Sequence, residues 1–310
     1  MTELRWTAPA SGGLFELSRR VVGRGEYRGL TFHEVEAKSI LNRVQGDRFG
    51  FGWTINPYRG CSHACRYCFA RPTHDYLGFD IGEDFDTQIV VKVNAVELVR
   101  AETSPGRWAG ELIAMGTNTD PYQPAEGKYR LTRGVVEVLT ERANPFSILT
   151  KSTLVLRDLD LFQEAAQRAD ISVNFSIGTL DADVWRQSEP GTPHPQRRIE
   201  GVAKLTEAGV PCRVLIAPVL PGLSDHPDQI AEVEAACRQA GAEAVTTIRL
   251  HLRPGVKEHY MGWLADAHPE LIDQYEKLYR NRAYLPGSSR RRAPSTRTRP
   301  KPAQASLPFG

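Results

Sequence analysis

From Phe51 onward, short apolar runs rich in β-branched residues alternate with longer stretches of helical spacing, and this rhythm constrains the fold more than any other feature. The short runs cover residues 52–58, 111–116, 146–151, 171–178, 210–217 and 244–252. Helical spacing covers 132–143, 154–169, 197–208 and 228–240, and two of these stretches leave through Ala208-Gly209 and Ala240-Gly241. A further strand over 88–93 leads into a helix through about Glu102. Six strand–helix repeats predict an α/β fold with a parallel sheet wrapped by helices, either open and doubly wound or part of a β/α barrel. Both architectures collect ligands at the carboxyl ends of their strands.

Around this core, residues 1–50 read as a polar, Gly-interrupted extension with one helix over 32–44. Residues 255–286 read as a C-terminal helical segment whose helix runs from about Glu258 to Arg282. Residues 287–310 change to Ser, Arg, Pro, Thr and Ala without apolar periodicity, which predicts a disordered tail. Seven cations and no acids lie between Asn281 and Gly310; taking those seven from the net +2 leaves −5 on the residues before them. The basic balance therefore belongs to the tail. No apolar run approaches the ~18 residues of a membrane span. The start, with Glu3 and Arg5 and no apolar segment, is unlike a secretory signal, so the expectation is a soluble cytoplasmic protein.

Three of the five cysteines, Cys61, Cys65 and Cys68, crowd into eight residues after the first expected strand. A secreted disulfide framework spreads its cysteines more evenly, so the Cys-x3-Cys-x2-Cys spacing points to one metal centre in a reducing compartment. Soft thiolates this close suit iron–sulfur, whose cubanes normally take four; three leave one iron open. The alternative is structural zinc, with His63, His74 or Cys212 as candidates for a fourth ligand. Cys212 and Cys237, in an expected strand and helix, read as core residues.

The Cys-x3-Cys-x-aromatic-Cys segment resembles the signature of the radical SAM superfamily. More narrowly, the chain resembles the spore photoproduct lyase-like (DNA-repair-photolyase-like) group, as an actinobacterial-type member of unassigned substrate. The residues carrying this are Asn56 to Cys61, Cys68 to Arg71, Gly116 to Tyr122, Leu149 to Ser152, Ser176 to Leu180, and Glu189-Pro190. The resemblance implies a partial (β/α)6 TIM-type barrel over residues 51–254. It also implies a 4Fe-4S cluster on the three cysteines, with S-adenosyl-L-methionine (SAM) on the open iron. SAM would be cleaved reductively to a 5′-deoxyadenosyl radical for hydrogen abstraction, with a flavodoxin- or ferredoxin-type electron donor. Tyr67 would lie against adenine, the segment Gly116, Thr117 and Asn118 would hold the SAM amine, and Lys151, Ser176 and Ala217 would complete the SAM contacts. Each also has a plainer reading: a solvated lysine, a barrel-filling serine, a turn glycine.

Asp120, Glu126 and Arg130 after the second strand, Arg186, Glu189 and Arg197 after the fourth, and His251 and Arg253 after the sixth are either substrate contacts or loop ion pairs. Spore photoproduct lyase has a hydrogen-donating cysteine after its cluster motif, whereas this chain has none between Cys68 and Cys212. Photoproduct lysis is therefore not implied, and Tyr122 is the candidate for handling a product radical. The resemblance favours a nucleic-acid substrate, and the tail's Arg290 to Lys301 would attract phosphates without reading sequence. Gln304, Leu307 and Phe309 resemble the anchors of a sliding-clamp docking peptide. A protein or small-molecule substrate, or a non-catalytic zinc-stabilised nucleic-acid-binding protein, stand as alternatives.

Overall fold

In this computed structural model residues 15–44 and 50–285 are described, and they form a four-stranded and a seven-stranded sheet. An antiparallel pair comes first, β1 (Phe15–Val22) and β2 (Thr31–Ala37), followed by β3 (Leu41–Arg43). The helix expected over 32–44 is thus two strands. Thr31, His33, Val35 and Ala37 are all buried on one face, the period of two that a strand requires. Pairing with two neighbours outweighs the weaker local helical spacing.

β4 (Trp53–Ile55) pairs in the large sheet, yet β5 (Tyr58–Arg59) pairs in the small one. After α1 (Pro72–Asp75) and α2 (Glu83–Thr87), β6 (Gln88–Lys92) completes the small sheet, in the order β1-β2-β6-β5. The strand expected over 88–93 therefore belongs to a separate sheet. α3 (Ala95–Glu102) carries the chain to β7 (Ile113–Met115).

Strand–helix units then follow: α4 (Pro124–Tyr129), α5 (Leu131–Glu141), β8 (Phe146–Thr150), α6 (Leu159–Arg168), β9 (Ile171–Ser176), α7 (Ala182–Ser188), α8 (Pro195–Glu207), β10 (Arg213–Val219), α9 (Pro227–Gln239) and β11 (Ala244–Arg249). The large sheet has the order β11-β10-β9-β8-β7-β4-β3. Six of its strands are parallel, and β3 is an antiparallel edge. This is the partial (β/α)6 barrel. Ile148, Val173, Phe175, Val214 and Ile216 are fully buried, as expected of parallel strands under helices.

The single C-terminal helix expected from Glu258 to Arg282 is two, α10 (Val256–Ala267) and α11 (Ile272–Leu278). Pro269 opens a 3-10 turn between them, because it lacks the N–H a continuous helix needs and restricts His268 before it. Tyr260, Leu264, Tyr275 and Tyr279 from these helices share an apolar cluster with Cys65, Tyr67, Leu220 and Leu250. No helix among the described residues is long and apolar enough to cross a membrane. The expected basic tail and the Gln304, Leu307 and Phe309 peptide lie outside the described residues.

Candidate active site at the barrel mouth

The cysteines sit just after the chain changes sheets between β4 and β5. From β5 the backbone turns at Gly60 (φ +78°), where a Cβ would lie 2.9 Å from His74 Cε1 and 3.0 Å from the Gln88 carbonyl oxygen. Three contacts then clamp the loop. Arg71, fully buried, donates to the Cys65, Ile81 and Gly82 carbonyls and to both oxygens of Asp86. Thr119 Oγ1 and Gln123 Nε2 donate to the Gly60 carbonyl at 2.7 and 2.9 Å. From the loop after α7, Ser188 O accepts from Arg66 N and Gly191 N donates to His63 O.

Cys61 and Cys65 are buried and Cys68 is half-buried; all three are free thiols. Burial pushes each thiol upward, reinforced at Cys61 by Asp120 and by the neighbouring sulfurs. Three lone thiolates are unfavourable in this environment, and a bound metal centre is what would supply the missing positive charge. Around the loop, Ser62 Oγ, Arg66 Nε and Thr117 Oγ1 are buried with no hydrogen-bond partner among the described residues. His63 Nδ1 lies 3.3 Å from Asp120, His74 Nε2 is 2.9 Å from the Gln88 carbonyl, and Cys212 lies in the main core. Among the described residues no three His, Cys, Asp or Glu side chains form a ready-made site for a metal ion.

Five of the residues singled out in the sequence meet at the strand ends. Lys151, just past β8, donates from Nζ to Ser176 Oγ (2.8 Å) at the end of β9, to the Ala217 carbonyl (3.3 Å) in β10, and to Glu189 (2.9 Å). Its ammonium is also 5.5 Å from the centre of the Tyr67 ring. Pro218 brings no N–H to the ladder, the register with β11 shifts between Ile216 and Val219, and the Ala217 carbonyl is left to accept from Ser176 and Lys151. Glu189 accepts from the Tyr67 hydroxyl as well, and its other oxygen accepts from Arg198 at 2.6 Å. Burial alone would raise the Glu189 carboxyl, but the Arg198 and Lys151 charges outweigh it and hold it well below the carboxylate range. Sequence reasoning named Glu189 in the resemblance and as an ambiguous loop charge, gave it no role at the site, and missed Arg198. Its one signal was an arginine in the stripe of Ile199, Val202 and Leu205 on α8.

Gly116, Thr117 and Asn118 leave β7 beside this group. Asn118 N donates to Asn56 Oδ1 at 3.4 Å, and the next acid, Asp120, accepts from Thr150 Oγ1 (2.6 Å) and Lys151 N (2.7 Å). Burial would raise Asp120, but His63 and these donors lower it. Asp120 thus ties the β7 and β8 exits to the cysteine loop.

Tyr122 is not brought to this group. It is fully buried, packs on Phe162, and donates its hydroxyl to Asp158 at 3.0 Å. Asp158 belongs with Arg157, Arg133 and Glu126 to a charge cluster under α4 and α5, where Glu126 also accepts from Tyr58. Arg130 adopts the left-handed turn between those helices (φ +53°). Arg186 pairs with Asp183 on the surface of α7, and Arg197 is exposed. His251 and Arg253 contact the Tyr284 ring and hydroxyl.

The profile of the family described as the Radical SAM superfamily matches residues 55–234. An uncharacterized protein of Mycobacterium tuberculosis is 48% identical over 272 residues, 87% of this chain and 80% of its own. The fold is similar to that of a spore photoproduct lyase variant solved with dinucleoside spore photoproduct (TM-score 0.58, 18% identity), over 81% of this chain and 72% of that one. A further variant, solved with bound AdoMet and the same dinucleoside, gives a TM-score of 0.57 at 18% identity and the same coverage.

Proposed function

This chain belongs to the radical SAM superfamily, and we propose that Cys61, Cys65 and Cys68 hold one 4Fe-4S cluster at which SAM is cleaved for hydrogen abstraction from a nucleic-acid substrate. The observation that carries this reading is the meeting of a buried three-thiol loop with Lys151, Ser176, Ala217 and Tyr67 at the carboxyl ends of the parallel strands. When bound, the cluster supplies the electron that splits SAM into methionine and a 5′-deoxyadenosyl radical. The protein's own residues bind and orient. The Lys151 ammonium is a compact charge for the SAM carboxylate, Ser176 offers a hydroxyl beside it, and Tyr67 gives adenine an aromatic face. The free Thr117 hydroxyl and the carbonyls at the β7 exit suit the SAM ammonium. Tyr122, its hydroxyl spent on Asp158, is given no part.

The zinc alternative is less well supported. A tetrahedral ion draws its ligands closer together than a cubane does, and the described thiols and imidazoles form no such set. A non-catalytic zinc-binding role would also leave the strand-end group without a purpose.

The test is anaerobic reconstitution followed by iron and sulfide analysis and a dithionite-dependent assay for 5′-deoxyadenosine. About four irons and four sulfides per chain and SAM cleavage are expected; intact SAM in the reduced, reconstituted protein would refute the reading. Cys65→Ala is expected to lose both cluster and cleavage, because two thiolates hold a cubane poorly. The nucleic-acid reading draws on the dinucleoside bound by the structurally similar lyase and on the basic tail. Damaged duplex DNA or tRNA should stimulate cleavage and acquire a mass change, whereas stimulation by a protein fraction alone would redirect the substrate class. Deleting residues 287–310 is expected to preserve SAM cleavage while weakening salt-sensitive DNA binding and any clamp capture through Gln304, Leu307 and Phe309.

A further inference from the structure

We propose that Glu189 is a positioning residue of the SAM site, its one carboxylate fixing Lys151 and Tyr67 relative to each other while Arg198 anchors it from α8. This inference rests on the radical SAM reading above. Three elements that are distant in sequence converge on this acid. One oxygen accepts from the Tyr67 hydroxyl on the cysteine loop and from Lys151 Nζ after β8; the other accepts from Arg198 Nη2 (2.6 Å) and Thr192 Oγ1 (3.3 Å). Arg198 itself is immobilised. It is fully buried, and it donates to the Pro193 carbonyl (2.9 Å), the Ser176 carbonyl (3.0 Å) and Thr192 Oγ1 (2.5 Å). The acid therefore rests on the backbone of β9 and of its own loop, and transmits that rigidity to two groups that otherwise meet through the Lys151 ammonium lying 5.5 Å from the Tyr67 ring centre.

Charge sets the same direction. One carboxylate between two cations leaves the group one positive charge in excess. Arg198 and Glu189 are sealed, with side chains 0% and 5% exposed, whereas Lys151 is 14% exposed. The excess charge is thus presented at Lys151, the most exposed of the three, where the carboxylate of SAM would neutralise it. Lys151 also holds its longest contact, 3.3 Å, to a neutral carbonyl, a bond it can exchange for a carboxylate at little cost. A plainer role for the Glu189–Arg198 pair is a staple joining the loop before α8 to β9. A staple would affect stability without distinguishing ligands by their carboxylate.

The experiment separates the two on the full-length, anaerobically reconstituted protein. Affinities for SAM and for 5′-deoxyadenosine, which lacks the carboxylate, are measured by equilibrium dialysis for wild type, Glu189→Gln, Lys151→Met and the double variant, with iron content and thermal midpoint recorded alongside. Positioning predicts that Glu189→Gln weakens SAM binding by about tenfold, leaves 5′-deoxyadenosine binding near wild type, and has no further effect once Lys151 is Met. In cleavage assays the loss should appear in KM more than in kcat, and Glu189→Asp should recover part of it. Tyr67→Phe, which keeps the ring and removes one donor to the same carboxylate, should weaken SAM binding in the same sense by a smaller factor, so the proposal can still be judged if Glu189→Gln folds poorly. Equal losses for both ligands, an additive double variant, or tighter SAM binding in Glu189→Gln would overturn the proposal while leaving the enzyme's function intact. A wild-type protein that takes up the cluster but does not bind SAM would instead overturn the functional reading on which it rests.

Discussion

At Gly116 the backbone leaves β7 with φ +93°, and an added Cβ would lie 2.0 Å from the Leu149 carbonyl oxygen. Both facts demand glycine, because the left-handed region disfavours a side chain and the obstacle is backbone that cannot step aside. Gly116→Ala is expected to destabilise the fold by roughly 3 kcal/mol or more and to displace Thr117 and Asn118. Urea denaturation would measure the first effect and SAM affinity the second; an alanine variant of wild-type stability would contradict this account. The family resemblance marked this glycine and Lys151, Ser176 and Ala217, which lie at or near the ends of expected strands. The sequence could not mark Arg198, whose partners, the Glu189 carboxylate, the Thr192 hydroxyl and the Pro193 and Ser176 carbonyls, are gathered around it only by folding. Nor could it tell that Tyr122 turns inward, since the acid that takes its hydroxyl, Asp158, lies beyond α4, α5 and β8 in the chain.

Among the elements, the loop from the cysteines to α2 depends on one side chain. Arg71 makes six hydrogen bonds, two to the Cys65 carbonyl, one each to Ile81 and Gly82, and two to Asp86, and lies 5.1 Å from the centre of the Phe85 ring. A planar fork can serve carbonyls on both sides of the loop together with a bidentate carboxylate; an ammonium cannot. Arg71→Lys is therefore expected to fold but to give up iron to a chelator about tenfold faster than wild type, as loss of a supporting shell does. Equal release rates would remove Arg71 from this role. Element type was legible wherever strands and helices alternated, because burial on both faces leaves unbroken apolar runs. It failed at β2, where Phe32 buried on the opposite face and polar His33 buried among the inward positions obscured the alternation of Val35 and Ala37 with Glu34 and Glu36, and at α10, where Pro269 ended a helix that apolar spacing alone would have continued.

On the scale of the molecule, the chain crosses from one sheet to the other at residues 56–57, between β4 and β5, and the cysteine loop follows directly. His74 sits behind that loop, on α1. It is fully buried, bonds the Gln88 carbonyl where β6 begins, packs against Phe79 and Phe85, and lies under the Gly60 turn. Burial lowers its pKa to about 4, with Arg59 adding to the shift and the Gln88 bond opposing it. The unfolded chain protonates this imidazole near 6.5 and the folded chain does not, so folding must release a proton across the interval between. Stability is accordingly whole above pH 6.5, declines as pH falls through that value, and stops declining on this account near pH 4; the loss is roughly 2–3 kcal/mol. His74→Gln keeps an N–H donor for the Gln88 carbonyl and has no proton to gain. Its unfolding free energy, measured in urea between pH 7.5 and 4.5, should fall less steeply than that of wild type by about that amount. Parallel curves would show that the fold does not sense acid through this histidine.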